Sequence, residues 1–134
     1  MEDGSAQVLS SKRFVLQFWL PLAVYVALIF TFSAQPHLTG PLRFENGDKL
    51  EHLAEYFGLG VLMLRLASAS RPRPRRDVAA LVTLLMGMAI AATDERFQKL
   101  IPGRQCDLTD WLADSLGVAL AQVLLLAWDN IRRI

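Results

Sequence analysis

Asp94-Glu95-Arg96-Phe97-Gln98-Lys99-Leu100-Ile101-Pro102-Gly103-Arg104-Gln105-Cys106-Asp107-Leu108-Thr109-Asp110 lies between two strongly apolar stretches. It holds four acids, three bases and two amides. Ile101-Pro102-Gly103-Arg104 reads as a turn, because Pro presets one backbone angle and Gly tolerates the other. Upstream, Asp94 and Gln98 stand four apart and Glu95 and Gln98 three apart, so on a helix they share a face. Downstream, Asp107, Asp110 and Asp114 fall at i, i+3 and i+7, again on one face. Two helix ends therefore present carboxylates toward one turn, with Arg104 between them.

The flanks of this run are long enough for a bilayer. Val78 to Thr93 is sixteen uncharged residues and extends through Asp94 to Gln98 toward full length. Trp111 to Trp128 follows the turn and carries Asp114 near its start. Further upstream, Phe14 to Phe32 is nineteen residues without a charge, with Gln17 and Thr31 as its polar side chains. A span needs roughly 20 apolar residues to cross about 30 Å of hydrocarbon. A cleaved signal peptide is the rival reading of Phe14–Phe32. The run is too long for an ordinary apolar region, and no small-x-small site follows, since Phe32 stands at −3 to Ala34. Pro21 lies well inside this span, which membrane helices tolerate with a kink.

Ser33 to Lys49 reads as a loop with Pro36, Gly40, Pro41 and Gly47. Leu50 to Leu66 reads as a further helix, whose apolar body Leu53–Leu64 is interrupted by Glu55 and preceded by Glu51 and His52. A lone charged side chain in hydrocarbon costs about 3 kcal/mol, so this face turns inward or sits at the interface. The fold class expected is all-α, a polytopic membrane protein built as a four-transmembrane-helix bundle. With 134 residues, it divides into a loose tail at 1–11 and a single domain at 12–134.

Apolar residues make up 53% and charged residues 20%, with the charges confined to short blocks between the spans. A net charge of +1 gives no argument for a nucleic-acid partner. The single cysteine, Cys106, excludes an internal disulfide and any Cys-only metal site. Nine basic residues, Lys12, Arg13, Arg65, Arg71, Arg73, Arg75, Arg76, Arg132 and Arg133, would share one side. Five, Arg43, Lys49, Arg96, Lys99 and Arg104, would share the other. The positive-inside rule then puts both termini in the cytoplasm and the acid-rich loops outside, in a cell inner membrane. The basic linker Arg71–Arg76 reads first as such a positive flank, with anionic lipid headgroups as a second use. Small residues repeat every fourth position at Ala113-Gly117-Ala121, Gly87-Ala91 and Ala54-Gly58, so helices can approach closely. The same stripes are compatible with a homo-oligomer.

These residues together resemble a known family. Ser33-Ala34-Gln35-Pro36 after the first span, Asp48-Lys49-x-x-His52-x-x-x-Tyr56 opening the second, and Asp94-Glu95-x-x-Gln98 followed by Pro102-Gly103-Arg104 and Asp110 resemble the VanZ-like membrane proteins. The likeness covers roughly residues 14 to 128. It implies a small four-span protein of the cell envelope, from a family named for a member associated with low-level teicoplanin resistance. The family's biochemical activity is poorly defined, so the resemblance implies a phenotype rather than a reaction. One departure is Asp114, where the family pattern favours Asn.

On this reading His52, Glu95, Asp94 and Asp110 are candidates for acid–base chemistry, with a neighbouring carboxylate favouring the imidazolium of His52. Arg104, Gln98, Asp48, Lys49, Tyr56 and Gln35 are candidates for binding a substrate. Arg104 in particular suits bidentate recognition of a phosphate or carboxylate. Each has a plainer use: the acids can pair with Arg104, Arg96 or Lys99, and His52 can be a simple hydrogen-bonding residue. No His-x-x-x-His or Cys pair supports zinc, and no metal is assigned; a hard cation on oxygen ligands would suit the acids better. No cofactor motif occurs. Three functions stay open: a non-catalytic binding protein for an envelope precursor or glycopeptide ligand, a membrane-embedded enzyme acting on a phosphate- or lipid-linked envelope substrate, and an assembly subunit.

Overall fold

A computed structural model of the chain describes residues 11–36, 46–70, 72, 74–104 and 106–131, the last three of these by backbone alone. The tail 1–10, the loop residues 37–45, and Arg71, Arg73, Gln105 and 132–134 lie outside the described residues. The described chain is helical. A π-helical turn at Val15–Trp19 leads into α1 (Leu20–Ser33), followed by α2 (Gly47–Ala69), α3 (Arg76–Gln98) and α4 (Leu108–Ile131).

Among the described residues three helical segments are long and apolar enough to cross a membrane: Ser11–Ser33, Arg76–Gln98 and Leu108–Trp128. The expected fourth, on α2, is too polar by that measure. Its first turns carry Asp48, Lys49, Glu51, His52 and Glu55, and Arg65 interrupts its far end. The uninterrupted apolar part, after Glu55, is shorter than about 15 Å at 1.5 Å per residue, about half of what a bilayer core spans. This helix instead supplies much of the interior. Tyr56, Leu59, Gly60, Met63, Leu64 and Leu66 are buried on it. The segment Ser11–Ser33 behaves oppositely, with only 6% of its most apolar window buried. It is apolar on every side, as a helix in contact with lipid is expected to be.

Local chemistry explains several boundaries. Pro21 has no N–H for the carbonyl four residues back, and its ring crowds that carbonyl. The π turn at Val15–Trp19 stands just before it, widening the helix at that point. A π turn, one of the usual causes of a helix kink, thus stands where the kink was expected. The loop expected through Lys49 ends earlier. Asn46 takes a left-handed conformation (φ 61°), and α2 begins at Gly47, with Asp48 in the first turn, where the helix dipole favours an acid. Pro102 and Gly103 form the expected turn: Gly103 has φ 84°, and Arg104 N–H donates to the Ile101 carbonyl at 3.1 Å. Asp107 opens α4 as its cap, its Oδ1 accepting from Thr109 N–H at 2.8 Å.

Packing sets how the polar helix ends meet. The core consists of Ile29, Tyr56, Leu59, Met63, Ala91 and Val118, drawn from all four helices. The α2–α4 contact is the closest because Gly117 is bare: a side-chain carbon there would strike the Leu53 carbonyl and the Phe57 amide of α2. Gly60 of α2 faces Val118 and Ala121 in return, and Gly87 of α3 faces Val118. Of the small residues expected to let helices approach, Gly117, Ala121 and Gly87 lie at these contacts, Ala91 is buried in the core, Gly58 faces Tyr25 of α1, and Ala54 is exposed.

Candidate functional site

The C-terminal ends of α1 and α3 and the N-terminal ends of α2 and α4 form one end of the bundle. Most of the sequence candidates gather there. His52 Nδ1 lies 2.9 Å from Asp114 Oδ1, and its Nε2 lies 4.0 Å from Asp110 Oδ2. Lys49 donates to Asp110 Oδ1 at 2.7 Å and stands 3.5 Å from Asp107 and 3.7 Å from Asp48. The spacing Lys49–His52 on α2 therefore meets the spacing Asp107–Asp110–Asp114 on α4 as two facing rows.

The end of α3 supplies the other half. Asp94, Glu95 and Gln98 are buried, with relative exposures of 1%, 3% and 2%. Gln98 Nε2 donates to Asp94 Oδ2 at 3.2 Å, and Arg104 Nη2 donates to Gln98 Oε1 at 3.0 Å. The Asp107 backbone N–H donates to Glu95 Oε2 at 2.9 Å, tying the loop to α3. Tyr56 is fully buried beside Asp94. Asp94 Oδ1, Glu95 Oε1, Asp114 Oδ2 and the Tyr56 hydroxyl are buried with no hydrogen-bond partner among the described residues.

A cavity of about 110 Å³ opens on this end, lined by Phe32, Ser33, Asp48, Glu51, His52, Glu55 and Arg104. Among the described residues Arg104 forms no ion pair; it rests on neutral Gln98, and its Nε is buried without a partner. The plainer expectation, Arg104 neutralised by Asp107, Asp110 or Glu95, does not match this geometry. Arg96 and Lys99 are exposed and do not join the cluster.

Two groups in the connecting loop have shifted acidities. The Thr109 backbone N–H holds the Asp107 carboxyl below its usual range, with Lys49 adding to the effect. Partial burial pushes the Cys106 thiol up, and the charge of Glu95 adds to this.

Gln35 is not brought to the site; it is exposed past the end of α1, its Nε2 3.5 Å from the Thr31 carbonyl. Asp48 is exposed at the cavity mouth. The candidate set omits Asp114, which is fully buried and makes the shortest contact with His52. Its i+7 spacing from Asp107 was the available signal. Ser33 and Glu55, which line the cavity, are likewise outside the candidate set.

Fold and site together define a helical membrane-type protein with a buried, acid-rich polar end. The VanZ/LLP1 family model matches residues 6–129, and the chain belongs to that family. No curated protein and no solved structure matches it.

Proposed function

We propose that this VanZ-like protein sits in the inner membrane as a four-helix bundle with both termini cytoplasmic. In that place it binds an anionic group of a cell-envelope precursor in its outward polar end. The observation that supports binding is Arg104, a guanidinium at the cavity with no ion pair among the described residues. Such a group is suited to a phosphate or carboxylate. Asp48 and Glu55 at the same cavity favour a ligand that also brings hydroxyl or amine donors, as sugar and peptide portions of a wall precursor do. At about 110 Å³ the cavity is far below the roughly 300–1,000 Å³ that encloses drug-sized ligands, so it suits a headgroup rather than a whole glycopeptide. An effect on teicoplanin response would then come through the precursor, not through the drug.

As for α2, its 23 residues reach about 34 Å, enough to cross when α3 and α4 cover its polar face. The basic residues of the 71–76 linker and of both termini support the proposed orientation.

The test compares wild type with Arg104→Ala and Arg104→Lys at matched protein levels. Binding of a polyprenyl phosphate in nanodiscs is measured beside growth inhibition by teicoplanin. Wild type should bind stoichiometrically, and both variants should lose affinity together with any teicoplanin effect. Unchanged binding in Arg104→Ala would end this reading.

A second reading has its own support in the His52–Asp114 pair, where a carboxylate-held imidazole is suited to proton transfer. It predicts turnover: phosphate or a cleaved headgroup should accumulate beyond one equivalent of protein, and Asp114→Asn should stop the release.

A further inference from the structure

We propose that His52, Glu95 and Asp114 form a site for one divalent transition-metal ion, zinc or manganese. One ligand atom from each lies within 4.8 Å of the others. Neighbouring ligands bound to one ion at about 2.1 Å stand roughly 3.0–3.4 Å apart, so the widest pair of the trio draws in by up to about 1.4 Å when an ion binds. His52 Nδ1 and Asp114 Oδ1, 2.9 Å apart, already have the separation of two neighbouring ligands on one ion.

Charge points the same way. Asp94, Glu95 and Asp114 are at most 3% exposed, and no Lys or Arg among the described residues pairs with any of them. One imidazole faces all three. Each carboxylate keeps an oxygen without a hydrogen-bond partner: Asp94 Oδ1, Glu95 Oε1 and Asp114 Oδ2. Buried carboxylates in such a state are suited to a metal ion.

The surroundings fix the ligands as outer partners do in metal sites. Asp107 N–H occupies Glu95 Oε2 and leaves Oε1 for the interior. Lys49 anchors Asp110 near Nε2, the other ring nitrogen of His52. Gln98 holds Asp94 next to the trio. The mixed nitrogen and oxygen donors favour zinc or manganese over magnesium or calcium, which take oxygen ligands. This inference goes beyond the anion-binding reading and does not use Arg104.

The test uses the full chain in detergent, stripped with a chelator and titrated with ZnCl₂ and MnCl₂ and with no other ligand. Binding is followed by calorimetry and thermal stability, and bound Mn²⁺ by electron paramagnetic resonance with nitrogen coupling. One equivalent should bind, raise Tm and show coupling to one imidazole nitrogen. Glu95→Gln and Asp114→Asn should weaken binding by more than about 100-fold, beyond what outer-partner changes cause, while Asp77→Asn, exposed at the other end of α3, leaves it unchanged. Folded wild type that binds neither ion overturns the proposal, as does equal binding in Glu95→Gln and Asp114→Asn. Should those variants fail to fold, wild type decides alone: Mn²⁺ without nitrogen coupling overturns it, and coupling supports it. Arg104→Ala that loses the anion but keeps the metal would separate the two sites of action.

Discussion

His52 stands between two carboxylates of one helix, 2.9 Å from Asp114 and 4.0 Å from Asp110, while Lys49 fixes the second of them. Residue-scale consequences reach the loop as well. The Asp107 cap has a carboxyl acidity stronger than normal, so its ionised form favours the folded state. That contribution is complete above the ordinary Asp pKa and disappears as pH falls through the lower folded value. Stability should therefore fall less between pH 5 and pH 3 in Asp107→Ala than in wild type, as followed by thermal melts. At Cys106 the shift runs the other way, and less thiolate is present at neutral pH than for a free cysteine. Maleimide labelling should be slow at pH 7 and accelerate through pH 9, with the rate against pH as the check. A third residue, Tyr25, donates to the Glu55 carbonyl at 2.8 Å across α1 and α2. Tyr25→Phe should cost about 1 kcal/mol, seen as a lowered Tm.

At the scale of elements, the α2–α4 contact depends on a residue without a side chain. Gly117→Val would drive carbon into the backbone of Leu53 and Phe57, and backbone cannot swing aside as a side chain does. The expected loss is about 1–3 kcal/mol or more, measured by denaturation in detergent, with Ala113→Val as the milder comparison. Here the sequence was a good guide in some places and a poor one in others. The uncharged runs of α1, α3 and α4 and the Pro102-Gly103 turn were legible because composition alone specifies them. Three features were not. Asn46-Gly47 reads as a turn by residue type, yet the helix begins there because Asn46 takes the left-handed conformation itself. The π turn needs the geometry around Pro21, not merely its presence. And spacing put Asp107, Asp110 and Asp114 on one face without saying which of them meets His52, since that depends on how α4 is rotated against α2. For the same reason Arg104 could not be assigned to Gln98 rather than to an acid.

For the whole molecule, the polar helix ends lie together and the apolar faces of Ser11–Ser33 and Leu108–Trp128 point outward. The proposed orientation makes a direct prediction. Impermeant maleimide at pH 8.5 should label Cys106 in intact spheroplasts, and a cysteine introduced at Arg75 only after permeabilisation. The reverse pattern would invert the protein and move its ligand to the cytoplasm. On α2, Lys49 and His52 pair with Asp110 and Asp114 of α4. During synthesis the ribosome releases α2 some sixty residues before those partners exist. On the proposed four-span topology, α2 would stand beside the lipid as a half-polar helix until α4 emerges. α4 would then act as the latch of biogenesis, and chains stopped before residue 108 should be handed to quality-control proteases instead of accumulating in the bilayer.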